Sequence, residues 1–360
     1  MKLPRITILA MLLLTVPAAA QLQITPPAAI PSPPAEKQKP KPPPPAKKKE
    51  AAPAPKPSAS PKPAASPKPA LPATVIPAPA TDTPGVDLVF GAYQRGQYKS
   101  AFDLATARAA NGDPKAMTML GELYSNAMGI RRDYAQALAW YKRAADAGDR
   151  EAMFALAMLR MSGRGGSVDK SEAVKLMASA AKLGEPKAAY NLALLYLDGQ
   201  TLPQDVKRAA ELLRQAADAG LPEAQYALAT FYKEGTGVPK DPEKAVRLLQ
   251  AASLADNVDA EVEYAIALFN GTGAPKDQPA AVALLRKASR QGSAIAQNRL
   301  AWVLINGMGT SVDKVEGFKW HLVAKTSGKG DPELDKQLAD LPAEDRSKAE
   351  AAARKWLGTK

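Results

Sequence analysis

The stretch Glu223–Ala252, EAQYALATFYKEGTGVPKDPEKAVRLLQAA, decides the fold of this chain. Its apolar residues recur three, four, seven and eight positions apart on either side of Gly235-Thr236-Gly237, the pattern of two amphipathic helices joined by a turn. Asp241-Pro242 marks the start of the second helix. The carboxylate can accept the orphan N–H groups of the first turn, and proline suits the first helical position.

Moving outward in steps of 36 residues, the same pattern returns five more times. Ala116, Ala152, Ala188, Ala224, Ala260 and Ala296 form one column, and Leu120, Leu156, Leu192, Leu228, Tyr264 and Leu300 follow four residues later. Next to these sit Gly121, Ala157, Ala193, Ala229, Ala265 and Ala301, all small. Asp133, Asp169, Asp205, Asp241, Asp277 and Asp313 form an unbroken column of expected N-caps, and Asp169–Glu172 and Asp313–Glu316 have capping-box spacing. Ala144, Ala180, Ala216, Ala252, Ala288 and Ala324 allow close helix approach. Gly148, Gly184, Gly220, Gly292 and Gly328 stand where a left-handed residue ends the second helix; only Asp256 interrupts them.

Two chemical readings of these columns fail on spacing. The glycine turns are not phosphate cradles, because no strand precedes them and no Gly-Lys-Ser/Thr follows. The aspartates, 36 residues apart, fall on different repeats and do not converge as metal ligands or an acid/base pair.

The pattern Ala-x-x-x-Leu-Gly/Ala-x-x-Tyr, then Gly-x-Gly, Asp, Ala and Ala-Ala-x-x-Gly resembles the Sel1-like repeat, a relative of the tetratricopeptide repeat. Six copies span 114–331, about three fifths of the chain. Arg160 stands where other copies have Tyr124, Tyr196 and Tyr232, and Thr201 replaces the second loop glycine of the third. The resemblance implies an all-α, right-handed superhelical solenoid of helix–turn–helix units. Residues 85–113 are expected to form an N-terminal capping helix pair, and 332–360 C-terminal capping helices with Trp356 docked on the last repeat.

The resemblance also implies binding of a protein or peptide, since stacked helix pairs generate a continuous concave surface. In related repeats the first helix lines that side. Its fifth and ninth positions here include Phe154, Met158, Tyr190, Leu194, Tyr226, Ile266 and Trp302, the candidate partner-binding residues. An aromatic ladder of this kind suits an extended peptide or an amphipathic helix. The same residues match the family consensus for packing between repeats, so groove and inter-repeat core both stand as readings. Tyr141, Met177, Leu213, Leu249, Leu285 and His321 share an apolar column, which makes the single histidine a packed residue rather than a catalyst. Trp140 and Trp320 share the neighbouring column and read as core.

Composition sets the remaining bounds. With no cysteine and one histidine in 360 residues, disulfides, thiol nucleophiles, Cys-based metal sites and multi-His sites are excluded. No cofactor or metal is expected. No Ser-x-x-Lys with supporting motifs is present, so an enzyme, such as a cell-envelope hydrolase, is the weakest reading; the cysteine-rich exported relatives linked to β-lactam binding look different in this respect.

Of the 33 prolines, 21 lie between Gln21 and Pro84, together with nine lysines and three acids. Segment 21–84 is expected to be a disordered Pro/Ala/Lys-rich linker with polyproline II character, reaching up to roughly 200 Å. It carries +6 of the net +12; residues 85–360 carry +4. The high isoelectric point therefore belongs mostly to the tail and does not indicate nucleic-acid binding. The tail's lysines could touch an anionic cell-wall polymer, the basis of an alternative reading as a wall-associated tether.

Before the tail, Lys2 and Arg5 precede an apolar run from Ile6 to Val16 and the small residues Ala18-Ala19-Ala20. This reads as a signal peptide over 1–20, exporting a periplasmic or secreted protein. No transmembrane segment is expected in the mature chain. In layout the chain looks like periplasmic Sel1-like regulators of signalling kinases, so the reading is a non-enzymatic envelope scaffold that binds proteins, with an extracytoplasmic signalling protein as one class of partner.

Overall fold

The computed structural model describes residues 87–358. Residues 1–86, which include the segments expected to be a signal peptide (1–20) and a linker (21–84), and residues 359–360 lie outside the described residues. Within them every regular element is an α-helix. A short hairpin of α1 (Leu88–Gln94) and α2 (Tyr98–Ala110) comes first. Six hairpins follow: α3 (Pro114–Asn126) and α4 (Tyr134–Asp146), α5 (Arg150–Ser162) and α6 (Lys170–Lys182), α7 (Pro186–Asp198) and α8 (Val206–Asp218). Then come α9 (Pro222–Glu234) and α10 (Pro242–Leu254), α11 (Val258–Asn270) and α12 (Gln278–Arg290), α13 (Ala294–Asn306) and α14 (Lys314–Thr326). The chain ends with α15 (Pro332–Ala339) and α16 (Ala343–Gly358).

The main contacts join helices adjacent in sequence, with one clear exception: α16 packs on α14 and bypasses α15. This is the organisation of an α-solenoid, in which each repeat buries its apolar faces only against its neighbours.

The aspartate column does two jobs. Each carboxylate caps the second helix: Asp205 accepts from Arg208 N, Asp241 from Lys244 N, Asp277 from Ala280 N and Asp313 from Glu316 N, each at 2.9 Å. Each backbone N–H also donates to a carbonyl near the end of the first helix, as Asp241 does to Tyr232 and Asp313 to Leu304, both at 2.9 Å. One residue thus closes the end of one helix and opens the next. The same bond uses up the N–H that a capping box needs. Asp169 donates to Arg160 O and Asp313 to Leu304 O, so the reciprocal half of both expected boxes is absent. Glu172 turns to Arg160 instead, at 3.6 Å, and Glu316 accepts from the Trp320 indole at 2.9 Å.

The second turn is equally regular. The glycine column adopts φ between +72° and +99°, and Asp256 takes the same left-handed conformation at φ +59°. The alanine columns are buried between helices. Gly121 is smaller still for a visible reason: a Cβ there would lie 2.5 Å from the ring of Tyr141, the bulkiest residue of its column.

The C-terminal end is closed by aromatic packing. Trp356 of α16 meets Trp320 of α14 edge to face, with ring centres 5.0 Å apart. His321 is fully buried, its Nε2 2.8 Å from Asp335 Oδ1. Lys325 Nζ bonds the same carboxylate at 2.8 and 2.9 Å, and Lys325 with His321 holds the Asp335 carboxyl below its usual range. Trp140 is half-buried beneath the Arg143 guanidinium, 4.4 Å from its ring centre.

Candidate binding groove

The seven candidate residues project from the first helices of repeats two to six, and their surroundings change along the chain. Phe154, Tyr190 and Tyr226, at the fifth position, are half-buried. Met158 and Leu194, at the ninth, remain 41% and 40% exposed. Ile266 and Trp302, at the same ninth position further on, are each only 7% exposed and belong to the core cluster of the C-terminal repeats.

Two features accompany the change. At the sixth position, Ala155 and Asn191 give way to Glu263 and Arg299, and Arg299 is itself buried. Beyond the last repeat, the chain returns to its first helix: Asn298 Nδ2 donates to Lys329 O at 3.2 Å, and Trp302 Nε1 donates to Asp331 Oδ2 at 3.0 Å. Asp331 also caps α15 through the N–H of Glu333. The available apolar surface on the first helices therefore lies in repeats two to four.

The tyrosines of this surface are chemically quiet. Burial pushes the Tyr190 hydroxyl above its ordinary pKa, helped by Glu223. Burial raises Tyr226 further, with Glu263, Asp259 and Glu234 adding to it. Both stay neutral near pH 7, which suits packing and hydrogen bonding rather than proton transfer. Among the described residues, no three or more His, Asp or Glu side chains are grouped to hold a metal ion. No described helix is long and apolar enough to cross a membrane.

A model of the Sel1 repeat matches residues 114–149, 150–185, 186–221, 222–257, 258–293 and 294–328. The chain belongs to the Sel1 repeat family. Its fold is similar to that of a protective antigen of uropathogenic Escherichia coli displaying an SLR fold, at 27% identity and a TM-score of 0.62. That match covers 72% of this chain, and this chain spans 56% of the antigen. A Sel1 repeat protein from Oxalobacter formigenes matches 66% of this chain and 94% of its own at 26% identity, with a TM-score of 0.56. No curated protein matches the chain.

One surface feature is not marked by the repeat pattern. The loop arginines Arg132 and Arg164 both lie within 6 Å of the Tyr134 ring centre, and all three border a cleft that Met158 also lines. The signal was present in the loops: Arg132 shares a column with Val168, Gln204, Lys240, Lys276 and Val312, and Arg164 one with Met128, Gln200, Thr236, Thr272 and Met308.

Proposed function

We propose that this Sel1 repeat chain is an exported, non-enzymatic adaptor of the bacterial cell envelope. Its first-helix face in repeats two to four binds protein partners, and the basic Pro/Lys segment holds the solenoid away from its point of attachment. Membership of a repeat family related to tetratricopeptide repeats supports the protein-binding part. The observation that carries it is the pair Met158 and Leu194, apolar side chains exposed on neighbouring first helices beside half-buried aromatic rings. Flexible or branched apolar groups over an aromatic floor suit an incoming peptide or helix, and such anchors supply most of the energy of an interface. An extracytoplasmic sensor domain is the partner class that fits an envelope regulator. The export part rests on the basic start, apolar run and small residues of 1–20.

The test is photocrosslinking in cells, with benzoylphenylalanine in place of Met158, Leu194 or, as a reference on a second helix, Lys175. Protein adducts at 158 and 194 but not at 175, on a mature chain beginning at Gln21 in the periplasmic fraction, are the expected result. Adducts of equal yield at all three positions would refute the groove, and a cytoplasmic full-length chain would refute export. Sedimentation with purified cell wall that is lost on deleting 21–84 would move the function to the tail.

A further inference from the structure

The interhelical loops of repeats one and two carry arginines, whereas those of repeats four and five carry Lys240 and Lys276. Arg131 and Arg132 lie just before α4, and Arg164 in the loop before α6; all three are exposed and make no ion pair among the described residues. Arg150, Arg160, Arg208 and Arg286 each lie within 4 Å of a carboxylate, whereas the helical arginines Arg143, Arg214, Arg247 and Arg290, like the three loop arginines, make no ion pair among the described residues. The Arg132 and Arg164 guanidinium carbons sit 5.9 and 5.7 Å from the Tyr134 ring centre. Both distances are at the outer reach of a cation–π contact, which leaves the guanidinium charge unneutralised.

Both arginines open onto a cleft of about 470 Å³. Met158 lines it, so the cleft is the loop-side end of the exposed first-helix surface. Two carboxylates border this region; both accept hydrogen bonds from neutral donors and keep their charge, against the three cations Arg131, Arg132 and Arg164. Asp133 accepts from Ala135 N and Gln136 N at 2.9 and 3.0 Å as an N-cap. Glu122 accepts from Asn126 Nδ2 at 2.7 Å and from the buried Tyr141 hydroxyl at 3.2 Å.

We infer that this cleft binds an acidic peptide segment of a protein partner, with Asp or Glu carboxylates on the exposed guanidinium groups of Arg132 and Arg164 and a neighbouring apolar side chain on Met158. The inference rests on the protein-binding reading above and says where, and by what chemistry, the partner is recognised. Guanidinium groups match carboxylates in planar, bidentate geometry. The exposed thioether accommodates apolar side chains of varied shape. That apolar component favours a peptide over an anionic polymer, which would use the arginines and leave Met158 idle.

Random dodecapeptides displayed on phage, selected against the full chain, test this directly. Selected peptides should pair Asp or Glu with an adjacent apolar residue. A synthetic copy should bind in fluorescence anisotropy, weaken with added salt, and bind about tenfold more weakly to the Arg132→Gln/Arg164→Gln variant. Both side chains are exposed, so the melting temperature should not move, and Arg290→Gln should bind as wild type. The proposal falls if no peptide is selected, if selected peptides lack acids, or if the double variant binds them equally. It also falls if polyphosphate binds the cleft while the acidic peptides fail to compete. If the in-cell adducts at 158 and 194 persist unchanged in the double variant, the adaptor reading stands and this recognition site alone is wrong.

Discussion

At the ninth position of the first helix, repeats two and three expose Met158 and Leu194, whereas repeats five and six bury Ile266 and Trp302. The column is the same, the helices have the same length, and the residues are all apolar. What differs is the cover. Ile266 and Trp302 belong to the core cluster of the C-terminal repeats, and the chain returning through Asp331 meets Trp302. One register therefore makes a surface at one end and a core at the other, and an apolar column in a solenoid has no fixed meaning until its neighbours are known.

The largest expected effect tests this contrast at its extremes. Trp302→Ala removes a buried indole and leaves the buried Asp331 carboxylate without its 3.0 Å donor. A loss of about 3–5 kcal/mol is expected in urea unfolding. Leu194→Ala, at an exposed site of the same column, should cost less than about 1 kcal/mol. Comparable losses at the two sites would show that repeats three and six bury this position alike.

A smaller effect is expected where the halves agree. Ala216 lies fully buried inside α8, in the column that lets neighbouring helices approach. Ala216→Leu should overpack that contact and cost about 1–3 kcal/mol, with a lower melting temperature by calorimetry. Its equivalent Ala288 on α12 is buried to the same degree, so Ala288→Leu should cost a similar amount. Unequal losses would mean that the common alanine column hides a real difference in backbone spacing between the halves.

These cases show which parts of the molecule were legible in the sequence. The hairpins, the aspartate caps and the glycine turns depend on residues within a few positions of one another, and spacing alone revealed them. Asp241 needs only the N–H of Lys244 to cap α10. The absent capping boxes were harder, because the competing acceptor, Arg160 O for Asp169, lies nine residues back across the turn. Exposure along the first-helix face was not legible at all. It depends on contacts such as Trp302 with Asp331, 29 residues apart and beyond the repeat pattern. The loop arginines were in plain view, but what brings them together is their shared proximity to the Tyr134 ring, which only the three-dimensional arrangement supplies.

The smallest effect concerns the break in the glycine column that separates repeat four from repeat five. Asp256 holds φ +59°, where a Cβ is unfavourable and glycine is at ease. Its carboxylate lies 2.7 Å from Lys287 Nζ, an exposed pair worth little in water. Lys287 also pairs with the buried Glu261 at 2.6 Å, and that contact does not need Asp256. Asp256→Gly should therefore stabilise the chain by about 0.5–1 kcal/mol, the relief of the left-handed residue outweighing the lost surface pair and the added freedom of the unfolded chain. Asp256→Ala keeps the strain and loses the pair, so it should destabilise by several tenths of a kcal/mol. Urea unfolding of the two variants side by side separates the terms. If both are destabilised equally, the hold on Lys287 and through it on Glu261 dominates, and the aspartate marks this junction as an electrostatic joint rather than a strained copy of a glycine turn.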